Sequence, residues 1–246
     1  MAGHSKWANI KHRKGAQDAK RGKIFTKLIR EITVASRMGG DDQDSNPRLR
    51  DALVKALKAN MKRDTIDNAI KRGVGDQEGA DMVEMRYEGY GPNGVAVLVD
   101  CLSDNKNRTV SEVRHVFTKC GGNLGTDGSV AYLFTKKGLL QYDSTHDADS
   151  LMEAALDAGA EDFSDEGDFF GVITQAQDYH AVLEALKKAG FESNQSDLTM
   201  EPATTVELDV EAAEKLLNMV DILEDLDDVQ EVHTNAEIAD EIFEQL

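Results

Sequence analysis

In this 246-residue chain the spacing of apolar residues is helical between Ile24 and Arg72 and mixed afterwards, and that change limits the folds open to it. Up to Arg72, apolar side chains recur every three or four residues. Ile24, Leu28, Ile32 and Ala35 form one such series, flanked by Phe25 and Ile29. Leu49, Leu53, Leu57 and Met61 form a second, and Ile66 and Ile70 mark a third. This spacing lines one face of a helix. From Val83 the pattern becomes alternation, with Val83, Met85 and Tyr87 set between Glu84, Arg86 and Glu88. That is a half-buried strand. Helices first and strand–helix units afterwards make an α+β chain.

Punctuation residues divide the chain further. Residues 1–22 lack helical periodicity and read as a basic flexible arm. Gly39-Gly40 ends the first helix, and Asn46-Pro47 supplies an N-cap and a first-turn proline for the second. Asp64 opens the third helix and Gly73 stops it, so residues 23–75 form a three-helix domain. Residues 74–81 read as a linker. A turn at Gly89–Gly94 leads to a buried strand, Val95–Leu102. Thr109 and Glu112 have capping-box spacing before a helix that Gly121-Gly122 ends. Residues 132–204 follow the order β-α-β-β-α-β, a ferredoxin-like unit. A further β-α-β follows Pro202, with strands at Thr205–Asp209 and Val229–Thr234. The expected architecture is an N-terminal all-helical domain followed by two ferredoxin-like α/β domains. One is discontinuous, 81–131 plus 205–246, and 132–204 is inserted into it.

Charge changes sign where the periodicity changes. Residues 1–72 hold 18 Lys and Arg against 8 Asp and Glu, a balance of +10; residues 73–246 balance at −28. The overall −18 is therefore an average of two unlike parts. An asymmetry this sharp marks a polyanion-binding arm or domain, and the acidic remainder is expected to stay off the polymer. The competing reading is that the basic head docks on the protein's own acidic body.

The strongest candidate site is the basic arm: Lys6, Lys11, Arg13, Lys14, Lys20, Arg21 and Lys23. Several cations in a short segment neutralise several phosphates, and binding then weakens steeply with salt. Trp7, the single tryptophan, sits among them and can stack on an unpaired base or pin the arm to the protein itself. His12 is a candidate phosphate hydrogen-bond donor. Lys27 and Arg30, one turn apart, carry the charge onto the first helix. Nothing reads as a base-reading motif: the first two helices are separated by GGDDQDSN, too long for a compact helix-turn-helix.

Enzyme signatures are missing from the sequence. Gly121–Gly125 lacks the Lys-Ser/Thr ending of a phosphate-binding loop and reads as turn chemistry. There is no HExxH and no GxSxG. Asp42, Asp44 and Asn46 have calcium-loop spacing, but Pro47 and Leu53 occupy the positions that need Gly and Glu. The acidic run 224–228 reads as a solvated helix end. A metal-dependent nuclease using such carboxylates remains a remote alternative. Two cysteines, Cys101 and Cys120, suit a reducing cytosol, and the longest apolar run, Val95–Val99, is far short of a membrane span. No cofactor and no metal are expected.

Four blocks carry a resemblance: GHSKWANIKHRKGAQDAKRGKIFTKLIREI at the start, then RYEGYGPNGVA, DNKNRT and GGNLGTDGSVAYLF. They closely resemble the YebC family of bacterial regulatory proteins, and the resemblance covers essentially the full chain. It implies an all-helical N-terminal domain, two α/β domains in a curved arrangement, and cytoplasmic regulation linked to nucleic acid. Bacterial members are described as transcriptional regulators that bind DNA. Mitochondrial relatives are described as translational activators, and some members as ribosome-associated factors that ease stretches such as consecutive prolines. The expected partner is therefore DNA, with ribosomal RNA as the alternative, and with contact to the transcription machinery or the ribosome.

Overall fold

The computed structural model describes residues 21–75, 82–243 and 245. It begins with α1 (Arg21–Gly39), α2 (Pro47–Lys58) and α3 (Arg63–Val74). One side chain joins the first two. The Asn46 oxygen accepts from the Leu49 N–H at 3.1 Å and caps α2, while its amide donates to the carbonyls of Ala35 and Gly40 at 2.8 and 2.9 Å. The apolar stripes meet as Ile32 and Ala35 against Leu49, Ala52, Ile66 and Ala69. Gly73, expected to stop α3, lies inside it and is buried. Its role is close approach: a Cβ there would meet the Thr33 carbonyl, and Ser36 Cβ at 2.6 Å.

The order then runs β1 (Val83–Tyr90), β2 (Ala96–Ser103), α4 (Lys106–Lys119), β3 (Asn123–Leu124), β4 (Phe134–Asp143), α5 (Ala148–Asp157), β5 (Asp162–Asp165) and β6 (Phe169–Gln175). It continues with α6 (Tyr179–Lys188), β7 (Gln195–Pro202), β8 (Val206–Glu207), α7 (Val210–Glu224), β9 (Val229–Thr234), β10 (Ala236–Glu237) and α8 (Asp240–Phe243).

The strands form two four-stranded antiparallel sheets, so the chain is α+β, helical first. The second sheet has the order β5-β6-β4-β7, the ferredoxin-like arrangement, with Leu140, Tyr142 and Val172 packed against Leu151, Val182 and Leu186 of its helices. The first has the order β3-β1-β2-β9, and α4 and α7 cover one face. The chain leaves this sheet after β3, builds the second, and returns for β9, whose Val232 pairs with Val99.

Two further local expectations differ from the structure. The strand expected at Thr205–Asp209 shortens to β8, which pairs only with β10 and stays outside the main sheet. The outer place in that sheet goes to β3, within the glycine-rich segment read as a turn. Glycine explains this: a Cβ on Gly89 would meet both the Asn123 carbonyl and the Phe117 ring at 2.5 Å. The second difference is the start of α4. Asn105, not Thr109, caps it, accepting the Arg108 N–H at 3.1 Å, and α4 therefore opens at Lys106.

Glu88 ties two of the unusual sequence blocks together. Its carboxylate, 6% exposed, accepts the N–H groups of Gly128, Val130 and Ala131 at 2.7, 2.8 and 2.7 Å. Burial alone would raise its pKa; the three donors outweigh that and hold it below the ordinary value. Glu88→Gln is expected to cost about 2 kcal/mol, because the amide keeps one acceptor oxygen and turns an N–H toward a donor. A lower urea midpoint at unchanged slope is the readout.

Candidate nucleic-acid interface

Lys6, Trp7, Lys11, His12, Arg13, Lys14 and Lys20 lie outside the described residues. Arg21 is the first residue of α1. The candidates whose side chains are described are Lys23, Lys27 and Arg30, at i, i+4 and i+7 on one face of α1. All three meet the C-terminal end of α7. Lys23 Nζ donates to the Asp225 carbonyl and Lys27 Nζ to that of Glu224, both at 2.6 Å. Arg30 donates to the Asp227 carbonyl at 2.6 Å and to the Asp228 carboxylate at 3.2 Å.

The cause is the helix end itself. The last carbonyls of a helix lack partners within it and carry the negative end of its dipole. The last turn of α7 has no basic residue of its own. Three cations from α1 supply that complement from outside. Burial pulls the Lys27 ammonium below the ordinary lysine value, against the pull of Glu224.

Asp228 is the centre of this contact. It is 2% exposed and accepts from Ser103 Oγ and Thr109 Oγ1, both at 2.9 Å, and from Arg108 Nε at 3.0 Å. Burial would raise its pKa, but Arg108, Ser103 and Thr109 hold it below the usual carboxylate value. The DNKNRT block thus folds around a carboxylate more than a hundred residues away in sequence. The run 224–228, expected from sequence to be a solvated helix end, instead contains a buried carboxylate. The available signal was an acid placed directly before the apolar start of a strand, Val229.

Further ion pairs join the helical domain to the acidic sheets. Arg48 lies between Glu31, at 2.6 Å, and Glu84. Lys55 reaches Glu231 at 3.1 Å and Asp197 at 3.9 Å, and His180 Nε2 lies 2.7 Å from Asp51. Glu231 and Asp197 hold the Lys55 ammonium above its ordinary value despite burial. Docking of the basic head on the acidic body, the competing reading of the charge, therefore describes Lys23, Lys27 and Arg30 as they stand.

Asp100 lies on β2 between its neighbouring strands, accepting from Arg86 Nε at 2.6 Å with His233 Nε2 at 3.5 Å. Burial would raise its pKa, and His233 and Arg86 together push it down to about 2. A folded-state pKa below the unfolded value, about 3.9, stabilises the fold above that value. The contribution disappears as pH falls toward 2. Wild type is expected to lose about 2 kcal/mol through this group between pH 5 and 2. Asp100→Asn, followed by urea titration across that range, removes that part of the slope.

Among the described residues no group of three or more His, Cys, Asp or Glu is placed to hold a metal ion, and no helix is long and apolar enough to cross a membrane. Both cysteines are free; burial pushes the Cys101 thiol up to about 12, far from a reactive thiolate.

Comparison with known proteins decides the family. Residues 5–76 match the TACO1/YebC N-terminal domain and residues 82–236 match the TACO1/YebC second and third domains. The chain belongs to the TACO1/YebC family. It is 66% identical over 246 residues, the full length of both chains, to a protein of Legionella pneumophila (strain Paris) named a probable transcriptional regulatory protein. A Francisella philomiragia protein of the same name is 58% identical over 247 residues, again covering all of both chains. Among solved structures, a conserved hypothetical protein from Aquifex aeolicus matches with a TM-score of 0.78 and 47% identity, covering 91% of this chain and 93% of that one. In this TACO1/YebC chain, three of the four blocks that carried the resemblance lie in β1–β2, at the start of α4 and around β3, where Glu88 and Asp228 hold them together.

Proposed function

We propose that this protein is a non-enzymatic cytoplasmic regulator of gene expression that grips DNA through its basic N-terminal arm. The observation that carries this reading is the anchoring of α1. Lys23, Lys27 and Arg30 are bonded to the end of α7, so the root of the arm is held against the body. Six cations precede Lys23, against one carboxylate, Asp18. In this reading Lys6, Lys11, Arg13, Lys14, Lys20 and Arg21 contact phosphates, His12 adds a hydrogen bond, and Trp7 stacks on a base. Lys23, Lys27 and Arg30 set the direction in which the arm leaves the body. The names of the Legionella and Francisella relatives support a role in regulating transcription.

A second reading, ribosomal RNA bound by a translation factor, is favoured by the character of α3. This helix follows α2 after a short turn, the position of a recognition helix. Its first turns carry Asp64 and Asp67, and Arg63 lies 3.9 Å from Asp67. Carboxylates there oppose entry into a groove lined by phosphates. Contact through phosphates and one stacked base suits unpaired RNA equally well.

Crosslinking in cells with sequencing of both polymers separates the two. Discrete promoter peaks without ribosomal signal support DNA. Enrichment on large-subunit ribosomal RNA overturns the transcription reading in favour of translation.

A further inference from the structure

The two sheets are joined to each other in one way and to the helical domain in another. Between the sheets lies an apolar cluster, with Ala96 and Leu98 of β2 against Phe134 of β4 and Met200 of β7. Among the described residues no apolar cluster crosses from the helical domain to either sheet. The cluster built on Ile32, Leu49 and Ile66 contains residues of the helical domain alone.

What crosses instead is charge, carried on two helix faces. Arg48, Asp51, Lys55 and Lys58 stand at i, i+3, i+7 and i+10 of α2, beside its apolar side. Each reaches a sheet or its helix. Arg48 meets Glu84 of β1, and Lys55 meets Glu231 of β9 and Asp197 of β7. Asp51 meets His180 of α6, and Lys58 Nζ donates to Ser196 Oγ of β7 at 3.3 Å. The face of α1 formed by Lys23, Lys27 and Arg30 does the same at the end of α7. The signs are sorted across this seam. Asp51 apart, the helical side supplies cations in these contacts, and the sheet side supplies carboxylates, carbonyls and a hydroxyl.

A charged seam behaves unlike an apolar one. Ion pairs that stay partly in water are individually weak and are screened by salt. Lys23 is exposed opposite Asp225, and Glu84 is exposed opposite Arg48. A polar interface between domains leaves them free to move, whereas a large apolar one does not. The covalent connection permits it: α3 ends at Val74 and β1 begins at Val83, and the residues between them can span ~25–30 Å when extended.

We infer that the helical domain is a detachable head, which leaves both sheets as a unit when salt or competing charge replaces the seam, while the sheets stay together. Opening uncovers Lys23, Lys27, Arg30 and Lys55 in one step. The joint does not depend on the arm or on the polymer the arm takes.

Small-angle X-ray scattering of the full chain, titrated from 0.05 to 1 M KCl, reads the joint. The radius of gyration is expected to rise by ~2–4 Å across the series, as a small head moves away from a larger body. Circular dichroism should stay unchanged. Lys55→Glu sets an acid against Glu231 and Asp197 and should lower the midpoint salt concentration about twofold or more. Adding Glu231→Lys to that variant should return the midpoint toward wild type. Lys188→Glu makes the same charge change at the exposed far end of α6 and should leave the midpoint where it was. A wild-type radius that is constant across the series overturns the inference. An equal shift in the Lys188→Glu control also overturns it, because net charge alone would then account for the expansion.

Discussion

Asp228→Ala is expected to destabilise the protein by about 3 kcal/mol. The carboxylate is buried and accepts from Ser103, Thr109, Arg108 and Arg30. Its removal leaves two hydroxyls without their acceptor and opens a void beneath two guanidinium groups. Losing one partner of a buried charge pair costs ~3–5 kcal/mol. The lower end applies here because Arg108 remains partly in water, at 42% side-chain exposure. Asp228→Asn keeps the shape and one acceptor, so a smaller loss of about 2 kcal/mol is expected, as for hydrogen bonds to a charged group. The sign with pH follows from the depressed pKa. The stabilisation is complete above the unfolded value, near 3.9, and disappears as pH falls below it. Denaturant unfolding at pH 7 and at pH 3 should therefore show a larger gap between wild type and Asp228→Ala at the first than at the second. An equal gap at both values would mean that the charge is not the source. Hydrogen exchange in α1 adds a local readout, because Arg30 loses one of its two acceptors on the body.

The same contact shows how far the sequence could be read. The stripe of α1, the Asn46 cap and the β-α-β-β-α-β order of the second sheet were legible, because each follows from local spacing or a local cap; the stripe of α2 was legible only in part, since Leu57 is half exposed, Met61 lies past the helix, and Ala52 and Ala56 fill the core instead. Gly73 was legible as a special glycine but not as a close approach, since its partners Thr33 and Ser36 lie in another helix. Thr109 matched a capping pattern in sequence, and its hydroxyl instead binds Asp228. No local rule distinguishes the two uses. The charge reversal at Arg72 was plain, yet its sum did not reveal which cations the body would absorb. Lys23, Lys27 and Arg30 are absorbed because α7 ends without a basic residue of its own. That fact requires knowing which helix end faces α1.

Removal of the arm is expected to abolish binding while leaving the fold intact. The core of the helical domain is built from Ile32, Leu49, Ile66 and their neighbours, all beyond residue 20. The anchor of α1 on α7 begins at Lys23. A chain lacking residues 1–20 should therefore keep its helical circular dichroism, and its thermal midpoint should move little. Binding should behave otherwise. Each phosphate neutralised contributes ~0.7–0.9 to the salt slope, so Lys11→Ala/Arg13→Ala/Lys14→Ala should lower it by ~2–2.7 and reduce affinity about a hundredfold near 0.1 M salt. Trp7→Ala should act differently. Loss of a stacked base costs ~1–3 kcal/mol and leaves the salt slope unchanged, because no counterion is involved. Since Trp7 is the only tryptophan, its fluorescence reports the same event, and quenching on addition of a single-stranded oligonucleotide should track the titration. A triple variant that binds with wild-type slope, or a Trp7→Ala variant that lowers the slope, would remove the division between phosphate contact and stacking on which the arm reading depends.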